Sequence, residues 1–238
     1  MLTSFDPTRT GPALLVSVRD ADEAELAALA GADLVDAKDP DRGALGALSP
    51  DLVGAIVTRV GGRALTSAVA GEPADAETLL ASVAAIADTG VDYVKVALPP
   101  GLDDATLYEV AAMAPGRVIA VFFAERPIAP DAVMRLARTG FVGAMIDTGA
   151  KGGRRLTDHL PLPALSAFAA ACRVHGLLSG LAGSLALCDV SVLAGTGAHY
   201  LGFRGGLCVG QDRRAGLDPD RVAATLGALR AHGRRDAA

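Results

Sequence analysis

The sequence contains very little lysine. Of its 22 basic side chains only three are lysines, Lys38, Lys95 and Lys151, and the others are arginines. Arginine serves as well as lysine on a solvated surface, so an arginine-rich chain should keep lysine where arginine cannot replace it. A desolvated lysine amine can lose its proton and attack a carbonyl, whereas a guanidinium cannot. The three lysines are therefore candidates for chemistry.

Other absences exclude whole classes of function. Tryptophan is missing, and the formal charge is −5 without any basic tract, so we expect no nucleic-acid partner. No run of about 18 apolar residues suggests a membrane span, and the N-terminus lacks the basic and apolar segments of a secretory signal. These features predict a cytoplasmic protein that does not bind a membrane.

Cysteine and histidine give no sign of a disulfide or a metal site. The cysteines form no CxxC pair and are predicted to be reduced and buried: Cys172, Cys188 and Cys208. The four histidines lack metal-ligand spacing, so we expect no metal and place them on the surface or in loops: His159, His175, His199 and His232.

Short β-rich apolar runs alternate with alanine-rich segments of helical period along the whole chain. Such alternation is typical of βα units around a parallel sheet. Eight strands are predicted: Ala13–Val18, Leu34–Lys38, Arg63–Val69, Tyr93–Leu98, Val118–Phe123, Gly143–Asp147, Leu177–Ala182 and Tyr200–Phe203. In a chain of 238 residues, eight units favour an α/β fold closed as a (β/α)8 TIM barrel over an open sheet. The weakest helical segment is the seventh, SLALCDVSVLAGTG, which could be one helical turn with a loop.

The barrel is predicted to be a single domain over residues 1–238, with an N-terminal extension at 1–12 and a flexible tail at 233–238. No linker or change of composition divides the chain. The sequence leaves open whether the chain forms a homo-oligomer.

The barrel would bring the three lysines together. Lys38 ends the second predicted strand, Lys95 lies in the fourth, and Lys151 follows the sixth, near the face where barrel active sites form. Asp36 shares a strand face with Lys38, and Asp147 ends the sixth strand. Crowded ammonium groups favour one neutral amine as nucleophile or base, while the carboxylates offset the remaining charge. Spacing alone does not decide which lysine is the nucleophile.

Glycine-rich segments after the seventh and eighth strands predict a phosphate site. SGLAGSL contains Gly183 and Ser184, and GFRGG contains Arg204, Gly205 and Gly206. Barrels often hold a phosphate at this place with backbone N–H groups. We therefore expect a small phosphorylated molecule as the ligand.

Five motifs carry a family resemblance. They are LLVSVRDADEAELAALAGADLVDAKDPDRGALGA, DYVKVAL, MIDTGAKGGRRLTDHLPL, LAGSL and RGGLCVGQDRRAG, and they span nearly the whole chain. Their order and spacing resemble the (5-formylfuran-3-yl)methyl phosphate synthase family, which makes the furan precursor of methanofuran and methylofuran. The resemblance implies a barrel that joins two molecules of glyceraldehyde 3-phosphate, with loss of phosphate and water and without metal or organic cofactor.

The resemblance also implies roles for individual residues. The Schiff-base lysine of the family falls on Lys38 in DAKDP, and its proton-accepting lysine falls on Lys95 in YVKVA. Its acid/base pair falls on Asp147 and Lys151 in IDTGAK, and Asp36 is the aspartate two residues before the Schiff-base lysine. These are the residues that the scarcity of lysine already selects.

Two other functions fit the same residues. A class I aldolase-like enzyme acting on another sugar phosphate would use an inward lysine, acid/base groups and a phosphate loop equally well. A non-catalytic, phosphate-binding regulatory barrel would bind ligand without turnover, but it gives no reason for three lysines in so arginine-rich a chain.

The chain also departs from the family pattern at Asp39, where asparagine is usual, one residue after Lys38.

Overall fold

The computed structural model describes residues 11–150 and 153–236. The strands are β1 Ala13–Val18, β2 Leu34–Ala37, β3 Leu65–Val69, β4 Tyr93–Ala97, β5 Val118–Phe123, β6 Gly143–Asp147, β7 Leu178–Ala182 and β8 Tyr200–Phe203. Each strand pairs in parallel with its neighbours in sequence, and β8 pairs with β1, so the sheet closes into a barrel. The predicted fold is confirmed, and every predicted strand end lies within two residues of the observed one.

Helices cover the outside of the barrel. They are α1 Ala21–Leu29, α2 Pro50–Val60, α3 Ala76–Ala87, α4 Asp104–Met113, α5 Ala132–Arg138, α6 Leu156–His159, α7 Leu162–Val174, α8 Val190–Leu193 and α9 Pro219–Asp236. The weakly predicted seventh segment consists of α8 between two short 3-10 turns. The single turn α6 was not predicted from the sequence.

Some sequence predictions fall outside the described residues. These are residues 1–10, which make up most of the predicted N-terminal extension, and Lys151. The helix α9 continues to Asp236, and the predicted flexibility of residues 233–238 stays a prediction. Within the described ranges, no helix is long and apolar enough to cross a membrane.

Short polar side chains begin the first four helices. Asp20, Ser49, Asp75 and Asp103 each accept a hydrogen bond from the backbone N–H three residues further on. Such caps satisfy N–H groups of the first turn that have no partner within the helix. They fix the points at which the chain turns from a strand end into the helix that covers it.

Apolar side chains form two separate cores. One core lies between the strands and the helices and includes Val16, Val35 and Val94. The other fills the barrel interior and includes Leu15 and Leu34. Because neighbouring residues on a strand point to opposite faces, Leu15 belongs to the inner core and Val16 to the outer one. Both faces of the sheet are therefore apolar, as expected for a buried parallel sheet.

Tyr200 is a fully buried aromatic residue of the inner core. The strand register aligns Met145, Gly180 and Tyr200 on β6, β7 and β8. A Cβ atom on Gly180 would lie 2.2 Å from Cζ of the Tyr200 ring. The ring therefore occupies the space that a side chain at position 180 would need, and its hydroxyl lies 3.6 Å from Sδ of Met145.

We expect Gly180→Ala to lower the free energy of unfolding by about 1–3 kcal/mol, because the added methyl must displace a ring enclosed by the barrel. Gly54→Ala is the matched control, since nothing lies within 4 Å of a methyl added at that position in α2. It should be neutral or stabilise by up to about 1 kcal/mol. Urea unfolding followed by circular dichroism measures both variants, and wild-type stability of Gly180→Ala would contradict this packing.

Candidate active site

Three neighbouring strands change from apolar to polar at the same level of the barrel interior. Residues two apart on a strand share a face, so the interior side chains of β1, β2 and β3 form successive layers. One layer is apolar and consists of Leu15, Leu34 and Leu65, which are in register. The layer two residues further along the strands is polar and consists of Ser17, Asp36 and Ser67. The polar layer therefore lies on the side of the strands' C-terminal ends.

The carboxylate of Asp36 lies at the centre of the polar layer and is fully buried. Its Oδ2 accepts a hydrogen bond from the hydroxyl of Ser17 at 3.1 Å, and its Oδ1 accepts one from Ser67 at 2.7 Å. Nζ of Lys95 lies 2.7 Å from Oδ1. A buried carboxylate without such partners would destabilise the fold by several kcal/mol. Two hydroxyls and one ammonium therefore stabilise the buried carboxylate at this position.

Lys95 projects from β4, and its side chain is only 2% exposed. Desolvation lowers the pKa of Lys95 below its ordinary value, although the charge of Asp36 opposes the shift. The neighbouring ammonium of Lys38 lowers the pKa further. A lowered pKa makes the amine of Lys95 neutral at a lower pH than an exposed lysine, as a proton acceptor requires.

Lys38 follows β2 directly and reaches the end of β6. Its Nζ donates a hydrogen bond to Oδ2 of Asp147 at 3.0 Å, and its side chain is 10% exposed. The other oxygen of Asp147 accepts a hydrogen bond from the backbone N–H of Thr148 at 2.7 Å. The amine of Lys38 is thus more accessible than that of Lys95, and a carboxylate lies within proton-transfer distance of it.

Both ion pairs open into one cavity of about 530 Å³. This volume is within the range of small-molecule sites. Among the described residues, its lining includes five cationic side chains and three carboxylates: Lys38, Lys95, Arg155, Arg204 and Arg213, with Asp36, Asp147 and Asp212. Asp189 and Glu23, outside the lining, pair with Arg155 and Arg204, so the cations that line the cavity are largely balanced by carboxylates.

The glycine-rich segments lie on the rim of this cavity, where Gly183, Ser184 and Gly206 contribute to its lining. A Cβ atom on Gly183 would lie 2.7 Å from Cγ2 of Thr148, so the two loops pack closely only with glycine at this position. In the described chain, no protein hydrogen bond uses the N–H groups of Ser184 and Gly206. These groups are therefore free to bind an anion.

Arg204 belongs to the same rim, but its guanidinium is engaged within the protein. It forms an ion pair with Glu23 on α1 and donates hydrogen bonds to the carbonyls of Ser17 at 3.2 Å and Ala215 at 3.1 Å. These contacts hold the loop after β8 against β1 and α1. Phosphate binding by Arg204 stays a prediction that its contacts do not favour, and the role of Gly205, which also lines the cavity, is likewise untested.

The loop after β6 leads to Lys151, which lies outside the described residues, so its predicted place beside Asp147 stays a prediction. The segment before it is held by Glu125, whose carboxylate accepts hydrogen bonds from the N–H groups of Gly149 at 2.9 Å and Ala150 at 3.1 Å. Burial alone would raise the pKa of Glu125, but these hydrogen bonds prevail and lower it. Glu125 therefore fixes the backbone just before Lys151.

Two predictions about cysteine and histidine are wrong. Cys188 is exposed on the rim of the cavity, because the short seventh helical segment leaves it uncovered, whereas Cys172 and Cys208 are buried as predicted. His159 lies in α6 with its side chain only 10% exposed, 3.8 Å from Oε1 of Glu125. No three His, Cys, Asp or Glu side chains of the described residues are grouped so that they could hold a metal ion.

No role was predicted from the sequence for two arginines of the cavity, Arg155 and Arg213. Arg155 pairs with Asp189 at 3.2 Å and contacts Sγ of Cys188 at 3.1 Å. Both arginines follow predicted strands and lie within the quoted motifs. Their positions after strand ends could therefore have indicated that they lie at the face of the barrel where active sites form.

Comparison with known proteins identifies a family. The model of 4-HFC-P synthase matches residues 14–226. The chain is 60% identical over 227 residues to a Methylorubrum extorquens protein named as a (5-formylfuran-3-yl)methyl phosphate synthase, with 95% of each chain covered. It is 34% identical over 218 residues to the (5-formylfuran-3-yl)methyl phosphate synthase of Methanothermobacter thermautotrophicus, covering 85% of this chain and 92% of the other.

Solved structures of low sequence identity share the barrel. KGPDC from Streptococcus mutans superposes with a TM-score of 0.65 at 13% identity, covering 93% of this chain and 98% of the other. Phosphoribosyl anthranilate isomerase from Thermus thermophilus gives 0.64 at 17% identity, covering 92% and 98%. At these identities the likeness shows the fold alone.

The lowered pKa of Lys95 should make the free energy of unfolding depend on pH. Between the folded pKa and the unfolded value of about 10.4, the unfolded chain binds one more proton than the folded chain. Stability should therefore rise with pH across this window, by up to about 1.4 kcal/mol per pH unit.

The control for this prediction is the double variant Lys95→Met with Asp36→Asn, which removes the amine without leaving a buried, unpaired carboxylate. Urea unfolding at several alkaline pH values should give a flatter profile for the double variant than for the wild type. Equal slopes would show that the pKa of Lys95 is not lowered in the folded state.

Proposed function

The chain belongs to the 4-HFC-P synthase family, and on this premise we propose that it condenses two molecules of glyceraldehyde 3-phosphate through a Schiff base on Lys38. The products are (5-formylfuran-3-yl)methyl phosphate, one inorganic phosphate and two molecules of water. The observation that carries the proposal is a pair of lysines, each bound to its own aspartate, in one cavity of small-molecule size.

Lys38 is the nucleophile in this proposal. Its amine is the more accessible of the two, and Asp147, 3.0 Å away, can take the proton that the ammonium must lose before attack on an aldehyde. The addition product loses water to give an iminium, with Asp147 returning its proton to the departing hydroxyl. One amine beside one carboxylate thus suits both steps of iminium formation, which are attack on the aldehyde and loss of water.

Lys95 is the base that removes the α-proton. An iminium withdraws electrons from the neighbouring carbon and makes its hydrogen acidic. Burial lowers the pKa of Lys95, so its amine is neutral more readily than an exposed one, and Asp36 stabilises the ammonium that forms. The resulting enamine can expel phosphate, because the phosphate of this triose is on the carbon β to the iminium.

The later steps join the second triose phosphate. A carbon–carbon bond forms to the second molecule and the ring closes, with loss of two molecules of water. Hydrolysis of the iminium, which consumes the water released when it formed, then frees the aldehyde product and Lys38. Asp147 and Lys151 would protonate the departing oxygens, as the family resemblance implies. The phosphate retained in the product would stay at the rim, on the N–H groups of Ser184 and Gly206 beside Gly183.

We expect Lys38→Arg to abolish both furan formation and covalent trapping, because arginine keeps the positive charge beside Asp147 but cannot form an iminium. The measurement is incubation with glyceraldehyde 3-phosphate and borohydride, peptide mass spectrometry, and ultraviolet absorbance of the furan aldehyde without reductant. The wild type should give an adduct on Lys38. Furan formation by Lys38→Arg would contradict the Schiff base, and a wild-type adduct without a furan band would favour the aldolase-like alternative.

We expect the double variant Lys95→Met with Asp36→Asn, which leaves no buried, unpaired carboxylate, to slow furan formation by roughly 10²–10⁴-fold, the usual contribution of a positioned general base. Borohydride should still trap an adduct on Lys38, since iminium formation does not need the second amine. Circular dichroism checks that the variant is folded. If the folded variant forms furan at the wild-type rate, Lys95 is not the base.

A further inference from the structure

Arg213 differs from the other cations of the cavity. Each of the others, as far as the described residues extend, has a carboxylate partner: Lys38 has Asp147, Lys95 has Asp36, Arg155 has Asp189 and Arg204 has Glu23. The described residues place no carboxylate oxygen within 4.0 Å of the guanidinium of Arg213. Arg213 is therefore a cation of the cavity without a protein counter-ion.

Arg213 lies in the loop between β8 and α9 and reaches the loop between β2 and α2. Its Nη2 donates a hydrogen bond to the carbonyl of Gly43 at 2.9 Å. Burial lowers the pKa of Arg213, and the nearby charge of Asp147 is the largest opposing influence. The guanidinium therefore lies on the side of the mouth that holds the Lys38 and Asp147 pair.

A guanidinium that lines a cavity and has no carboxylate within ion-pair distance can bind an anionic ligand without first breaking a protein ion pair. The planar fork of arginine matches two oxygen atoms of a phosphate. The part of the rim formed by Gly183 and Ser184 follows a different strand, β7, where the neighbouring Arg155 is neutralised by Asp189. Gly205 and Gly206 share the loop after β8 with Arg213, but the guanidinium of Arg213 reaches Gly43 in the loop after β2. The cavity thus has groups that suit an anion both beside β7 and beside the loop after β2.

We propose that Arg213 forms a second phosphate site, separate from the glycine-rich rim, for the phosphate of the triose bound near Lys38. The inference rests on the proposed function, because that reaction requires two triose phosphates in one cavity. If the triose at Lys38 is the one that loses its phosphate, Arg213 would also stabilise the charge of the departing group.

Calorimetric titration with sn-glycerol 3-phosphate tests the second site. This compound carries the phosphate of the substrate but has no aldehyde, so it binds without reacting at Lys38. We expect two sites per wild-type chain and one site in Arg213→Gln, with the affinity of the remaining site unchanged within about twofold. Arg213→Lys should keep the second site with an affinity about tenfold weaker, since lysine keeps the charge but loses the fork.

Arg214→Gln is the matched control. Arg214 is the next residue, its side chain is 71% exposed, and it pairs with Asp41 at 3.0 Å. It is not part of the cavity lining, so the control should bind two equivalents like the wild type. Two unchanged sites in folded Arg213→Gln would overturn the proposal. The proposal would also be overturned if the wild type binds only one equivalent and Arg213→Gln binds it more weakly. Arg213 would then be part of the rim site.

Furan formation from glyceraldehyde 3-phosphate is scored separately, so the two proposals can fail independently. A wild type that binds two equivalents of sn-glycerol 3-phosphate, loses one in Arg213→Gln and makes no furan contradicts the proposed function but supports the second site. A wild type that makes furan while Arg213→Gln keeps both sites overturns the second site alone.

Discussion

Two ammonium groups inside an apolar barrel require a carboxylate for each, and this constraint organises the whole mouth. An uncompensated charge at these positions would destabilise the fold by several kcal/mol. Asp36 supplies the carboxylate for Lys95. The hydroxyls of Ser17 and Ser67, in register with Asp36, donate further hydrogen bonds to the same carboxylate. Asp147 supplies the carboxylate for Lys38. Side chains of five strands are therefore held in one arrangement before any ligand binds.

The two lysines have the same chemistry but different surroundings, which favours different roles. Both side chains are buried, but Lys95 is the more deeply buried and its pKa is lowered, whereas Lys38 is slightly more exposed and hydrogen-bonds to a carboxylate on another strand. Neighbouring titratable groups placed in unlike environments commonly divide nucleophilic and acid/base work between them. Under the proposed function, the backbone N–H groups of the rim would bind phosphate in the same cavity that holds the two amines.

The sequence predicted the barrel and the central residues because both leave a local signal. The alternation of apolar runs with helical segments identifies the strands, and the scarcity of lysine identifies Lys38 and Lys95 with the aspartates that share their region. The two serine partners of Asp36, Ser17 and Ser67, were not predicted, since a serine on a strand has no feature in the sequence that marks it as a hydrogen-bond partner. The contact of Arg204 with Glu23 depends on closure of the barrel between β8 and β1, which spacing along the chain does not reveal.

Nuclear magnetic resonance of the protein with isotope in its lysine side chains tests the central claim most directly, because the chain has only three lysines. The signal absent from Lys38→Arg identifies Lys38, and the signal absent from the double variant Lys95→Met with Asp36→Asn identifies Lys95. On addition of glyceraldehyde 3-phosphate, we predict that the Lys38 signal moves to the imine range while the Lys95 signal remains that of an amine. Imine formation at Lys95 with an unchanged Lys38 signal would contradict the division of roles between the two ion pairs.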